Sequence, residues 1–303
     1  MQNIIRTIWK FKKKIVNKIF YSKSRRKTIV QREIDRMSNI SDEFALYQGN
    51  PRKGRVIVSL TSYGKRIKTV HYSINCLMHQ SVLPDYIVLY LSNEEQNNQL
   101  TKELTTLVKK GLIIRYVKDI KAHTKYYYAM KEFPNDIIIT IDDDIIYDAD
   151  LIEELIVSYQ KKKFAVHAMR GHRMLVKSGL LQRYNDWELE SRYTRMPVMD
   201  LLPTGVGGVL YPPHLLPEET FDLDMIQKLS PYADDIWLKA MELLSEVPTV
   251  IASKKYRPII EADGTQEKAL NHINVNEALN DKQLEAVFNH YDLWKKLGAI
   301  GLN

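Results

Sequence analysis

The chain has 303 residues, of which 45% are hydrophobic and 10% aromatic, enough for one large domain or two small ones and too many for a wholly disordered chain. Its net charge of +7 conceals a division: residues 1–36 carry twelve Lys/Arg against Glu33 and Asp35, a net +10 that leaves −3 for the remainder, so the basic character is local. The single cysteine, Cys76, excludes an intrachain disulfide framework and fits a reducing cytoplasm.

In the first segment Ile4, Ile8, Phe11, Ile15 and Ile19 recur at helical spacing, with Lys10, Lys13, Lys14 and Lys18 mostly on the other side. Charges at Arg6, Lys10 and Lys12 interrupt any signal-peptide core. No stretch approaches the roughly 20 apolar residues of a membrane span. A basic amphipathic helix of this kind suits an anionic membrane surface; a helix docked on the protein's own body and a nucleic-acid arm are the other readings. Residues 22–54 read as a polar connector with one short helix around 29–38.

From Arg55 the pattern alternates. VIVSL (56–60) is a strand and 69–80 a helix with Val70, Ile74, Leu77 and Met78 on one face. A strand at 86–91, a helix over 97–110 ending at Gly111, a strand at 112–117, a helix near 124–132 and a strand at 137–141 follow. Strands separated by helices of these lengths predict an α/β, mostly parallel sheet flanked by helices. An amphipathic helix at 151–163 and a short strand at 164–169 come next. Residues 171–200 are rich in aromatics and arginine and weakly periodic. A strand at 209–211 is ended by Pro212 and Pro213, a helix begins near Asp234, and 277–297 holds one or two terminal helices.

The densest chemistry lies at the end of the strand IIITI, where Asp142, Asp143 and Asp144 stand in succession. Carboxylates are costly to bury unpaired, and ligands of open α/β sheets collect beyond the carboxyl ends of strands. A hard divalent cation, Mg²⁺ or Mn²⁺, takes one or two such carboxylates and leaves positions for phosphate oxygens. The plain alternative is an acidic turn capping the helix that starts near Asp150. Two further signals follow: Gly205, Gly207 and Gly208 ahead of a strand, where glycine permits close backbone approach, and Asp234-Asp235 at a helix start, where acids also serve as caps.

Taken in order, the strand running into Thr61-Ser-Tyr-Gly-Lys-Arg66, the strand-terminal aspartates, and the glycine segment followed by Asp-Asp resemble the GT-A glycosyltransferases. The likeness is to bacterial family-2-like enzymes and, more distantly, to exostosin-like transferases, and it covers about residues 55–241. It implies a GT-A fold (Rossmann-like) and a site in which Thr61, Ser62, Tyr63 and Arg66 hold the nucleotide. Asp119 meets the base and Lys125 the diphosphate. The family's Asp-x-Asp falls on Asp142 and Asp144, with Asp144 binding the metal, Asp142 meeting metal, ribose or sugar, and Asp143 assisting. Gly205, Gly207 and Gly208 lie beneath the transferred sugar. Asp235, or else Asp234, contacts the acceptor hydroxyl as the catalytic carboxylate, the other capping the helix. His272 or His290 is a candidate third metal ligand, and His167, Arg170, His172 and Arg173 are candidates for the acceptor side.

The expected organisation is a basic N-terminal segment and connector (1–54), a catalytic domain (55–270) and a C-terminal helical tail (271–303). The implied activity is transfer of a hexosyl or N-acetylhexosaminyl group from a nucleotide-diphosphate sugar, a UDP-sugar first, with Mn²⁺ or Mg²⁺ as cofactor. The acceptor is a cell-surface glycan or lipid-linked intermediate, and residues 1–24 hold the enzyme to the inner face of the membrane with no nucleic-acid partner. A nucleotidyltransferase of related fold would need a glycine-rich pyrophosphate loop after the first strand, of which Thr61–Arg66 is a poor version. A basic-armed adaptor leaves the three motifs without a purpose.

Overall fold

The computed structural model describes residues 28, 31–32, 46–52, 54–177, 180–191, 196–253, 255, 258–262 and 279–298. The amphipathic segment 1–24 and His272 lie outside them, and of the helix expected around 29–38 only residues 31 and 32 are described, as helical.

The chain forms the expected α/β architecture. The elements run β1 (Val56–Thr61), α1 (His71–Leu77), β2 (Tyr86–Ser92), α2 (Lys102–Lys109), β3 (Ile113–Val117), α3 (Thr124–Glu132), β4 (Ile137–Thr140), α4 (Leu151–Lys161) and β5 (Val166–Ala168). The short strands β6 (Gly171–Arg173), β7 (Val176–Lys177), β8 (Leu180–Leu181) and β9 (Leu201–Pro203) follow. Then come β10 (Val209–Tyr211), α5 (Leu223–Leu229), α6 (Asp234–Leu244), β11 (Thr249–Ile251), α7 (Leu279–His290) and α8 (Trp294–Gly298).

Seven strands make the main sheet in the order β11-β5-β10-β4-β1-β2-β3. All neighbours are parallel except β10, which runs against both β4 and β5. The β-branched run of β1 alternates between two apolar layers, as a strand's period of two requires. Val56, Val58 and Leu60 pack with Ile139, Ile74, Leu77, Leu104 and Leu155 against α1, α2 and α4, while Ile57, Val88 and Ile138 meet Ala129 and Phe133 of the α3 region. Burial on both faces explains why β1 and β4 read as continuous hydrophobic runs. A second large cluster holds Trp237, Met241, Val209 and Tyr211 with Val287 and Phe288, so α7 and α8 pack into the body.

Boundaries differ from expectation where local chemistry intervenes. The helix expected over 97–110 starts only at Lys102, because the Thr101 hydroxyl accepts the Leu104 amide at 3.2 Å and so caps it; it stops before Gly111 at φ +105. The helix expected from 69 is preceded by a 3₁₀ turn over Gly64–Lys68. The weakly periodic stretch 171–200 contributes strands of two or three residues to two small antiparallel sheets, β6-β9 and β7-β8, too short to leave a sequence period.

The topology fixes where a ligand fits. From β1 the chain proceeds to β2 and β3 on one side, then returns with β4 on the other, so the carboxyl ends of β1 and β4 flank a topological switch point. Ser59 pairs with Thr140 in register, which sets Thr61-Ser62 beside Asp142–Asp144. Antiparallel β10 begins next to Thr140, and that brings the preceding Gly205–Gly208 to the same end of the sheet.

Candidate active site

Just beyond β1, the Ser62 hydroxyl donates to Asp143 Oδ2 at 2.5 Å and Thr61 Oγ1 donates to the Tyr90 carbonyl at 3.0 Å. The 3₁₀ turn carries Arg66 back over the aspartates. Its guanidinium lies 3.2 Å from Asp143 Oδ1 and also pairs with Asp144. Tyr63, 45% exposed, leaves its ring 5.8 Å from Arg66 Cζ. Thus Thr61, Ser62, Tyr63 and Arg66 gather at one rim.

Asp143 and Asp144 are buried and Asp142 faces the opening with its side chain 30% exposed. Burial pushes the Asp143 carboxyl up despite Arg66 and Ser62. Asp144 is pushed up to about 7, by burial first and then by the neighbouring Asp142 charge, with Arg66 acting against both. Glu261 also raises it, from the segment whose Ala262 amide donates to the Asp144 carbonyl at 2.7 Å. These carboxylates do not cap α4; the residue preceding that helix, Asp150, makes no side-chain cap bond either. The plain reading of the triplet is thereby removed.

Lys125, at the start of α3, is buried, and its Nζ donates to Asp142 Oδ1 at 2.7 Å and lies 3.1 Å from Asp234 Oδ2. Burial opposes its charge, yet the carboxylates of Asp142, Asp234 and Asp235 overcome that and raise its pKa. Its backbone carbonyl accepts from the Ser59 hydroxyl, tying α3 to β1. The Gly205 amide donates to Asp235 Oδ1 at 3.0 Å. A Cβ on Gly205 would sit 2.8 Å from Lys125 Nζ, 3.3 Å from Asp235 Oδ1 and 3.5 Å from Asp142 Oδ1. Glycine there leaves room at a junction of charges, whereas Gly208, at φ +90, is required by its backbone. A Cβ on Gly207 would meet Arg170 Cβ at 2.6 Å.

Neither Asp234 nor Asp235 caps α6. The residue before the helix is Ala233, no side chain makes the cap bond, and Asp234 turns to Lys125 instead; the expectation of a capping aspartate is corrected on that ground. Asp235 is raised well above the ordinary carboxylate range by burial and by Asp234, with Lys125 opposing.

Other candidates fall elsewhere. Asp119 is exposed and bound to its neighbour Lys121, whose amide and Nζ donate at 2.7 and 2.8 Å. His167 is buried between Ser158 Oγ at 2.8 Å and the Lys162 carbonyl at 3.1 Å. His290 is exposed at the end of α7 with its ring 4.7 Å from that of Tyr291. Arg170 donates to Thr204 Oγ1 and Glu190 at 3.0 and 3.1 Å, and the Glu190 amide donates to His172 Nδ1 at 2.9 Å, while Arg173 pairs with Asp200 at 2.9 Å. Arg170 also lines a cavity with Tyr147, Asp148, Val206, Gly207 and Ile259.

Tyr147 is the neighbour of the aspartates to which no role was assigned from sequence. Its hydroxyl accepts the Asp142 amide at 2.9 Å and donates to the Val206 carbonyl at 3.3 Å, linking the aspartates to the glycine loop. It lies five residues after Asp142, where a lone tyrosine carries no signal of its own. Glu261 left no signal, since its approach to Asp144 depends on the late chain crossing back.

Among the described residues no three His, Cys, Asp or Glu side chains converge on one point. Asp142 and Asp144 nevertheless fit Mg²⁺ or Mn²⁺ by donor chemistry. Such ions take one or two carboxylates and complete their shell with water and phosphate oxygens, and the charges of Asp142 and Asp143 add to burial in raising Asp144, against Arg66.

No protein-family model matches the chain, and no curated protein matches it. Among solved structures, residues 1–349 of TarS from S. aureus in complex with UDP are similar at 14% identity and a TM-score of 0.41, over 66% of this chain and 58% of that one. The mannosyltransferase PcManGT from Pyrobaculum calidifontis, in complex with GDP-Man and Mn²⁺, is similar at 11% identity and a TM-score of 0.47, over 91% of this chain and 77% of that one. The fold class rests on the sheet described above rather than on either likeness.

Proposed function

We propose that the protein is a metal-dependent glycosyltransferase of GT-A type that moves a hexosyl or N-acetylhexosaminyl group from a nucleotide-diphosphate sugar, a UDP-sugar first, to a glycan or lipid-linked acceptor. The observation that carries the reading is the convergence, at the sheet's switch point, of Ser62 and Arg66 after β1, the three aspartates after β4, the Gly205–Gly208 loop and Asp235 at the head of α6. A nucleotide phosphate chain belongs at such a crevice.

In this reading Asp142 and Asp144 hold the divalent ion, which when bound neutralises charge on the departing diphosphate. Arg66 neutralises Asp143 and Asp144 and adds a guanidinium to the phosphate side. Asp235 takes the proton of the acceptor hydroxyl as its oxygen bonds to the anomeric carbon and the bond to the diphosphate oxygen breaks, the electron pair leaving with the diphosphate. The Gly205 amide keeps one of the Asp235 oxygens oriented.

Association with the inner face of an anionic membrane through residues 1–24 belongs to the same reading and is supported by their basic amphipathic pattern. Among the described residues no helix is long and apolar enough to cross a membrane. The test is incubation with a panel of nucleotide sugars and Mn²⁺. Release of nucleoside diphosphate supports glycosyl transfer; release of pyrophosphate in the presence of a sugar phosphate and nucleoside triphosphate supports a nucleotidyltransferase instead.

A further inference from the structure

We infer that Lys125 is a positioning residue that joins the donor side of the site to the acceptor side through Asp234, rather than a ligand of the diphosphate. The inference deepens the glycosyltransferase reading and rests on it for the roles of Asp142 and Asp235. Three observations carry it. The Lys125 ammonium is enclosed, with its side chain only 8% exposed, and is already engaged on two sides, 2.7 Å from Asp142 Oδ1 and 3.1 Å from Asp234 Oδ2. The Gly205 backbone borders a third side, where an added Cβ would lie 2.8 Å from Nζ, and the Ser59 hydroxyl pins the Lys125 backbone to β1. An ammonium has three hydrogens and a compact charge; with Asp142, Asp234 and a glycine wall around it, little room is left for a phosphate oxygen.

The geometry gives that charge another task. Asp142 follows β4 and Asp234 opens α6, so the lysine is an ionic strut between the ends of two elements, beside the Gly205 amide that holds Asp235. Asp235 stands next to Asp234 on the same first turn, and its carboxylate is fixed at one oxygen by Gly205. Pulling Asp234 toward Lys125 sets the rotation of that turn and therefore where Asp235 points. Loss of the strut lets the α6 terminus relax while the nucleotide rim, built from Ser62, Arg66 and Asp143, stays as it is.

The experiment compares Lys125→Met, Asp234→Asn and the double variant in the full-length protein. The strut predicts that each single change lowers kcat at least tenfold while the Kd for UDP with Mn²⁺ stays within threefold. It also predicts that the double variant is no slower than the slower single one, because both remove one interaction. A diphosphate ligand predicts the opposite: Kd rises tenfold or more in Lys125→Met, stays unchanged in Asp234→Asn, and the losses multiply. Should Lys125→Met fail to fold, Asp234→Asn decides alone, and a kcat within twofold of wild type overturns the strut. Urea denaturation of the same set provides a readout independent of any substrate. Non-additive unfolding constants are expected, and additivity overturns the inference whether or not the wild-type protein transfers sugar, whereas a wild type that binds no nucleotide while retaining Lys125–Asp234 coupling refutes the functional reading alone.

Discussion

Replacing Gly205 by alanine perturbs the site by one methyl group at the point where its charges meet. Gly205 does not have a positive φ, so alanine meets no backbone penalty and the effect is steric. The added Cβ would lie 2.8 Å from Lys125 Nζ, 3.3 Å from Asp235 Oδ1 and 3.5 Å from Asp142 Oδ1. The first distance is closer than real Cβ atoms approach, so the ammonium must move by a few tenths of an ångström. It is held at 2.7 Å and 3.1 Å by two carboxylates, and any displacement lengthens at least one of these pairs. Overpacking of this kind costs about 1–3 kcal/mol. At about 2–4 °C per kcal/mol for a chain of this class, calorimetry should show Tm lowered by several degrees. Because misplacement by about 1 Å costs up to about a hundredfold in rate, a shift of a few tenths of an ångström should lower nucleoside diphosphate release by up to about tenfold. Gly54→Ala is the control: Gly54 has φ +81 with nothing within 4 Å of its Cβ position, so it should lose about 1–2 kcal/mol of stability through backbone strain and keep its rate. A Gly205→Ala enzyme with wild-type rate and Tm would refute the picture of a packed ionic junction.

Three other outcomes are expected. Asp235→Asn should bind donor normally and lose at least about two decades in kcat, the scale of general base catalysis, whereas Asp234→Asn should lose less; if Asp234→Asn is the dead enzyme in a rate assay, the two roles are exchanged. His167 has its pKa pushed down to about 4 by burial, so the folded form sheds a proton that the unfolded chain keeps below about 6.5. Its contribution to stability is complete above that pH and lost as pH falls toward 4, about 3 kcal/mol in all, and urea titrations should show His167→Gln flattening that slope; an unchanged slope assigns the acid sensitivity elsewhere. Deleting residues 1–24 should leave turnover on a short soluble acceptor but reduce sedimentation with anionic vesicles, and binding by the full chain should weaken with salt, because exposed charges are screened within about 8–10 Å. Equal sedimentation of the truncated protein contradicts the surface-anchor reading, and its unfolding favours a docked helix.

Much of the sheet was legible because β1 and β4 are buried on both faces and so carry unbroken β-branched runs. The aspartate triplet was legible for the complementary reason: unpaired acids directly after such a run contradict burial unless something holds them. What holds them in the free chain was not legible. Arg66 and Lys125 sit 78 and 17 residues from their aspartate partners, and their pairing follows from the register of β1 with β4 and from α3 packing across the sheet. Asp234 looked like a cap because caps are local and sequence sees only the local; the nearby Lys125 charge outcompeted the helix amides for it. Asp119 shows the local case, held by Lys121 two residues away. The stretch 171–200 gave no period because its strands, two or three residues long, span too few alternations to be recognised.

The most direct test of the central claim is calorimetric titration of UDP, and then of a panel of nucleotide sugars, into wild type and Asp144→Ala with and without Mn²⁺, with nucleoside diphosphate release followed in parallel. Metal-enhanced nucleotide binding by the wild type, release from at least one donor, and loss of both in a folded Asp144→Ala protein are predicted. Binding by Asp144→Ala that Mn²⁺ enhances as it does in the wild type, or a wild type that binds none of these nucleotides, would contradict the account.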